Sequence, residues 1–223
     1  MTIARFKDLC IDADEPGVLG SFWAAALGLA VESLDDGDVV LRGPTPQHTV
    51  WINQVPEAKS VKQRVHLDVH GSAPDELSAL GATVVDDRSF RWVVMNDPEG
   101  GEFCLFLREE PPDYRLYSIV VDCLDHERIG RWWGEVLGAP WTADDEGFSY
   151  LEDVPGVPFD GLSFVPVPEP KLVKYRIHID VVADDLAVLL DAGATLQRAR
   201  DDEIGWDVLA DPEGNEFCRF DPS

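Results

Sequence analysis

The ten residues that begin at Asp97, DPEGGEFCLF, return at Asp211 as DPEGNEFCRF, and this repetition limits the architecture more than any other feature of the chain. Sliding the sequence on itself extends the match. VPEAKSVKQRVHLDV (55–69) lies over VPEPKLVKYRIHIDV (167–181), LGATVV (80–85) and DAGATL (191–196) share Gly-Ala-Thr, and SFWAAALGL (21–29) answers RWWGEVLGA (131–139). The offset drifts only from 110 to 114 residues, which small loop insertions explain. A chain of 223 residues therefore divides into two copies of one unit, 1–108 and 116–223, joined by a linker at 109–115. The paired prolines of EEPPDY can continue neither a ladder nor a helix.

Each unit reads as β-α-β-β(-β) written twice. RFKDLCIDA (5–13) is a strand, and Asp14 followed by Pro16 is a helix start. Val18, Leu19, Phe22, Ala26 and Leu27 then recur at helical spacing until Gly28 stops them. Strands follow near 38–42 and 49–54, and RVHLDV (64–69) restarts the pattern, with a short helix from Pro74 to Leu80 and strands near 83–86, 91–96 and 102–107. The repeated Asp-Pro-Glu-Gly is a hairpin turn, since proline presets φ, aspartate bonds back to the backbone and glycine suits the last place.

A formal charge of −25 repels phosphate backbones and anionic lipid surfaces, so neither nucleic acid nor membrane is an expected partner. The start MTIARFKDLCIDADEPG has no signal-peptide pattern, and no stretch approaches a membrane span, which makes the expected location cytoplasmic. Cys10, Cys104, Cys123 and Cys218 show no CxxC spacing and are expected as reduced thiols.

The FWxxxLG helix, HLDV and DPEGNEFC together make the chain resemble the vicinal oxygen chelate superfamily, which includes glyoxalase I, extradiol dioxygenases and bleomycin-binding resistance proteins. The likeness covers residues 5–107 and 116–220. It implies an α+β fold of two tandem glyoxalase-like domains, each of paired βαβββ motifs whose curved mixed sheets form a cup with helices outside. A divalent metal often sits on the floor of that cup. Carried over, the first-strand ligand positions fall on Asp8 and His66 in the first unit and on Ser118 and His178 in the second. The last-strand position, usually glutamate, falls on Cys104 and Cys218. Asp8, His66 and Cys104 would make an O, N, S set with an open fourth place. Serine is a poor metal ligand, so the second unit keeps only two donors, and absence of a metal cofactor is the expected state with a divalent ion as the alternative.

Strand alternation supplies the rest of the expected geometry. His66 shares a face with Arg64 and Asp68, His178 with Arg176 and Asp180, Cys104 with Glu102 and Phe106, and Cys218 with Glu216 and Phe220. The candidate ligand-binding set is Asp8, His66, Asp68, Cys104, Ser118, His178, Asp180 and Cys218, with His66 and His178 as candidate acid–base residues. The opposing interpretation has each His–Asp pair satisfying itself inside a strand. Nearby carboxylates argue for inert thiols. Four of the five lysines, Lys59, Lys62, Lys171 and Lys174, fall in the repeated PExKxVKxR run; such a basic strip could draw an anionic ligand to the cup mouth, but the preferred expectation is an exposed edge strand guarded by charge. The seven tryptophans are mostly core, although one on a cup face would stack a planar ligand.

Three functions remain open: a metal-free binder of a small hydrophobic or aromatic compound, for sequestration or resistance; a lyase, epimerase or dioxygenase using a divalent metal or a histidine base; and an interaction scaffold. Monomer and homodimer are both compatible with four motifs in one chain.

Overall fold

The computed structural model describes residues 2–222. Four βαβββ motifs follow one another. The first comprises β1 (Arg5–Ala13), α1 (Pro16–Leu27), β2 (Ala30–Ser33), β3 (Val39–Arg42) and β4 (Val50–Gln54). The second holds β5 (Val65–Gly71), α2 (Pro74–Ser78), β6 (Thr83–Asp86), β7 (Val93–Asn96) and β8 (Glu102–Leu107). The third contains β9 (Leu116–Cys123), α3 (His126–Leu137), β10 (Trp141–Ala143), β11 (Ser149–Glu152) and β12 (Gly161–Pro166). The fourth closes with β13 (Ile177–Val182), α4 (Leu186–Asp191), β14 (Thr195–Arg198), β15 (Asp207–Ala210) and β16 (Glu216–Phe220). β2, an exposed strand with no apolar alternation, is the one element of the first motif that periodicity does not announce.

Sheet membership does not follow the sequence repeat. The first eight-stranded sheet runs β14-β15-β16-β13-β1-β4-β3-β2 and the second β10-β11-β12-β9-β5-β8-β7-β6. Each cup thus takes one motif from each repeat, sewn by an antiparallel seam, β1 against β13 in the first and β5 against β9 in the second. The reason lies in how the two motifs of a repeat pack. Phe22 and Trp23 of α1 drive into Phe103 of β8, with ring centroids 5.8 and 5.3 Å apart, and Trp132 and Trp133 of α3 meet Phe217 of β16 in the same way. Motifs of one repeat are therefore joined through their helix-covered faces. Their first strands are left with open edges that only the other repeat can complete.

The repeated DPEG turn belongs to this internal packing. Asp97 accepts from the N–H groups of Glu99 and Gly101, and Glu99 reaches across to accept from the N–H groups of Asp14 and Glu15, just ahead of α1. Glu213 does the same for Leu124 and Asp125 ahead of α3. α1 has no side-chain cap of its own, so the glutamate of the turn satisfies donors that its own sequence leaves free. At the other end Gly28 adopts φ +74°, and a Cβ there would sit 2.0 Å from the Asp113 carbonyl, which leaves glycine alone able to stop the helix.

The repeated lysines are not on an edge strand, contrary to the sequence expectation. They lie in the loops before β5 and β13 and hold carboxylates: Lys62 to Asp122 and Lys174 to Asp12, each at 2.6 Å and each crossing between repeats, with Lys59 on Glu102 and Lys171 on Glu216. Edge strands β2, β6, β10 and β14 carry none of them.

Because each seam needs both repeats, a chain ending at residue 108 should leave one edge of β1 and one edge of β5 unpaired. Light scattering coupled to size exclusion should find it as a homodimer or an aggregate. A folded, stable monomer would contradict the crossed pairing.

Candidate functional site

Register fixes what lines each cup. Val65, Leu67, Val69, Phe103 and Leu105 all belong to the apolar core, so their strand neighbours occupy the opposite face of the second sheet. Asp68 pairs with Ser118 on one side and Cys104 on the other, and His70 pairs with Phe106. In the first sheet Asp8 stands opposite Asp180, Cys10 opposite His178, and Asp180 beside Cys218. The faces expected from alternation are the observed ones, and all eight candidate residues lie on them.

One expected grouping fails. Asp8 belongs to the first sheet and His66 and Cys104 to the second, so the set Asp8, His66, Cys104 is not assembled. That reading closed each cup within its own repeat, whereas the seams cross. The donor groups formed instead are His66, Asp68 and Cys104 in the second cup and Cys10, His178 and Asp180 in the first, each with ligand atoms within 4.8 Å of one another. Cys10 was missed as a site residue although it lies two positions beyond Asp8 and therefore on its face.

In the second cup, His66 Nε2 lies 3.6 Å from Asp68 Oδ1, too long for a hydrogen bond, and Ser118 donates to the other carboxyl oxygen at 2.9 Å. Burial dominates both ionisations. It pulls the His66 pKa down to about 4 and pushes Asp68 up to about 7, with the Ser118 and Cys104 hydrogen bonds opposing the latter. Between those values the pair is a neutral imidazole beside a neutral acid. Burial, then the Asp68 carboxyl, raises the Cys104 thiol well above its usual range, so it is no nucleophile.

The first cup has the same floor with different neighbours. His178 Nε2 is 3.5 Å from both Asp180 Oδ1 and Cys218 Sγ, and burial pulls its pKa down to about 4. Burial and then the adjacent Asp8 carboxyl push Asp180 well up. Lys7 at 2.6 Å and the Trp51 indole at 3.1 Å both donate to Asp8 Oδ2, while the Asn53 amide approaches Cys10 Sγ at 2.9 Å. Three buried atoms here have no donor or acceptor partner among the described residues: Asp8 Oδ1, Asp180 Oδ1 and His178 Nδ1. All four cysteines are buried and unpaired, as expected.

Above the floors the cups differ. β1 and β9 each bulge by one residue, placing Lys7 on the face in the first cup and Tyr117 in the second. Around Tyr117 a ladder of rings crosses the second sheet: Phe90 to Trp92 at 5.0 Å, Trp92 to Phe106 at 5.4 Å, Phe106 to Tyr117 at 5.1 Å and Tyr117 to His70 at 4.7 Å. The first two contacts are stacked, at 11° and 24°, and Phe90 is 53% exposed. Among the described residues the first cup has only the Trp206–Phe220 stack, with Lys7 Nζ 4.1 Å over the Phe220 ring. Tyr117 escaped the sequence reading because a bulge breaks strict alternation. Phe106 carried a signal, its parity with Cys104, whereas the place of Trp92 depends on the register of β7 against β8, which its own segment does not state.

The Asp68 and His66 shifts act on stability in opposite directions. Asp68 binds more protons folded than unfolded between pH 3.8 and about 7, so its contribution falls as pH rises through that window. His66 binds fewer when folded between about 4 and 6.5, so its contribution is lost as pH falls through that range. Asp68→Asn keeps an acceptor for Ser118 and removes the first effect. Urea denaturation should find this variant more stable than the parent at pH 8, by about 1 kcal/mol or more, with the gain shrinking toward pH 4. Equal stability at both pH values would contradict a protonated Asp68.

Comparison with known proteins agrees with the geometry. A family profile described as a glyoxalase-like domain matches residues 8–106 and again 118–220. Glyoxalase I from Zea mays superposes with a TM-score of 0.70 at 13% identity, covering 98% of this chain and 92% of that one. A putative dioxygenase from Bacillus subtilis gives 0.63 at 13% identity, over 99% and 86%. The cppA protein from Streptococcus pneumoniae gives 0.52 at 12% identity, over 99% of both chains. At such identities these likenesses concern the fold. No curated protein sequence matches the chain. Among the described residues no helix is long and apolar enough to cross a membrane.

Proposed function

Since the chain belongs to the glyoxalase-like domain family of the vicinal oxygen chelate superfamily and carries the domain twice, we propose that its second cup binds a small planar aromatic molecule. The observation that carries this reading is the ring ladder. Phe90, Trp92, Phe106 and Tyr117 present half-buried or exposed ring surface on the face above His66 and Asp68. An offset-stacked ring is a favourable neighbour for such a surface, and about 0.5–1.5 kcal/mol per aromatic pair is gained beyond simple burial. The floor suits an uncharged ligand with one polar edge. A neutral imidazole accepts a hydrogen bond, a protonated carboxyl donates one, and neither asks the ligand to neutralise a buried charge. The same pair is able to move a proton to or from a ligand atom near neutral pH.

Isothermal titration with 1-naphthol should show saturable binding. Trp92→Ala or Phe106→Ala should weaken it by roughly tenfold or more, while Trp206→Ala in the first cup leaves it within about twofold. No binding to the parent protein, or an equal loss with Trp206→Ala, would refute the assignment.

The first cup supports a second reading, favoured by its three unpartnered atoms. Cys10, His178 and Asp180 fit a divalent ion of borderline softness by atom type and by mutual distance, with Cys218 beside them. An ion held there would act as a Lewis acid toward a bound oxygen. His178 is already neutral and ready to ligate, whereas Asp180 and the thiols must first lose protons, so affinity should rise with pH. Titration with Co²⁺ should give thiolate-to-metal charge-transfer absorption at about one ion per chain, abolished by Cys10→Ser. Cobalt bound without that absorption would exclude the thiols as ligands.

A further inference from the structure

Residues 55–64 and 167–176, the loops that carry the repeated lysines, come from different repeats and face each other across a cavity of about 710 Å³. It is separate from the ring ladder and from both donor groups, none of whose residues line it. Its size lies within the range of pockets that enclose small organic molecules. The walls are largely apolar, with Val55 and Val65 on one side and Val167 and the buried Tyr175 on the other. At the lip Leu172 is 87% exposed, Val61 48% and Val173 44%. Apolar groups left in water at the rim of a concavity gain by being covered.

Charge distinguishes this cavity from an ordinary crevice. Its lysines are spoken for: Lys62 holds Asp122, Lys174 holds Asp12 and Lys59 holds Glu102. Arg176 bonds the Glu57 carbonyl at 2.6 Å and also pairs with Glu99 at 2.8 Å. Arg64, its counterpart, repeats only the first half of this. It donates to the Glu169 carbonyl at 2.6 Å, but its Nε is buried without a partner, and among the described residues it forms no ion pair with a carboxylate. The equivalent of Glu99 is Glu213, which likewise accepts from two N–H groups ahead of a helix, those of Leu124 and Asp125, but among the described residues does not go on to pair with an arginine as Glu99 does with Arg176. The repeat thus provides two matching guanidinium groups and fills only one. An uncompensated guanidinium beside an apolar wall is the recognition element for a carboxylate, which it meets through paired, charge-assisted hydrogen bonds.

The geometry points to this cavity as a binding site for a monocarboxylate with an apolar body, its head on Arg64 and its tail against the valines, Tyr175 and Leu172. A single negative charge is selected over a dianion because the exposed carboxylates of Glu57 and Glu169 flank the opening. The site is independent of the aromatic ligand assigned to the second cup.

Octanoate tests the proposal, with 1-octanol as the uncharged molecule of equal length. Calorimetry on the whole chain should give one saturable octanoate site, at least tenfold weaker for octanol. Arg64→Met should weaken octanoate at least tenfold, and Trp92→Ala should leave it unchanged. Leu172→Glu, made on a side chain that packs against little, should weaken octanoate as well and remains informative if the arginine variant proves unstable. The proposal is overturned if octanol binds as tightly as octanoate, or if the substitutions at 64 and 172 have no effect. Loss of octanoate binding with Trp92→Ala would also overturn it by moving the ligand to the ring-lined cup, whereas failure of 1-naphthol to bind would bear on that cup alone.

Discussion

Everything in this molecule depends on two antiparallel seams, β1 against β13 and β5 against β9. A strand with an open edge must find a partner or leave a row of backbone groups unmatched. Within a repeat that partner is not to hand, because the helix-covered faces have already come together around Phe22, Trp23 and Phe103. The other repeat supplies it, and the cross-repeat ion pairs Lys62–Asp122 and Lys174–Asp12 fasten the loops on either side. Glu99 joins both levels: it caps the approach to α1 within its own repeat and pairs with Arg176 of the other.

The seams also explain why the two cups are alike below and unlike above. The floor residues His66, Asp68 and Cys104 and their copies His178, Asp180 and Cys218 come from the second and fourth motifs, which have kept the same residues. The walls come partly from the first and third motifs, where Lys7, Asp8 and Cys10 stand in one cup and Tyr117, Ser118 and Val120 in the other. One cup gathers charge and thiols, and the other gathers rings. Burial then acts on the shared floor in the same sense in both, with neutral imidazoles and protonated acids.

The fold was legible because its cues are local: a repeat visible by eye, a helix closed by glycine, and alternation that put His66 with Asp68 and Cys104 with Phe106. The composition of each site was less so. Asp8 was grouped with His66 because the ligand positions that the resemblance implies were carried over one repeat at a time, and no local cue says which strand completes an edge. Tyr117 and Lys7 were hidden by bulges. The lysines were read by residue type as edge guards, since their partners Asp12 and Asp122 lie far off in sequence. The DPEG phrase was correctly a turn, but its glutamate acts on a helix more than eighty residues earlier, which no turn rule contains.

The linker at 109–115 has a consequence for how such a protein can change. A free single-repeat chain would meet the same edge requirement by pairing with its own copy, and any substitution would then be expressed in two identical cups at once. Tying the copies end to end lets one half of the gene vary while the other stands still. Lys7 can be acquired in one hollow without being imposed on its twin, and a single polypeptide comes to hold two differently lined hollows at a fixed ratio of one to one.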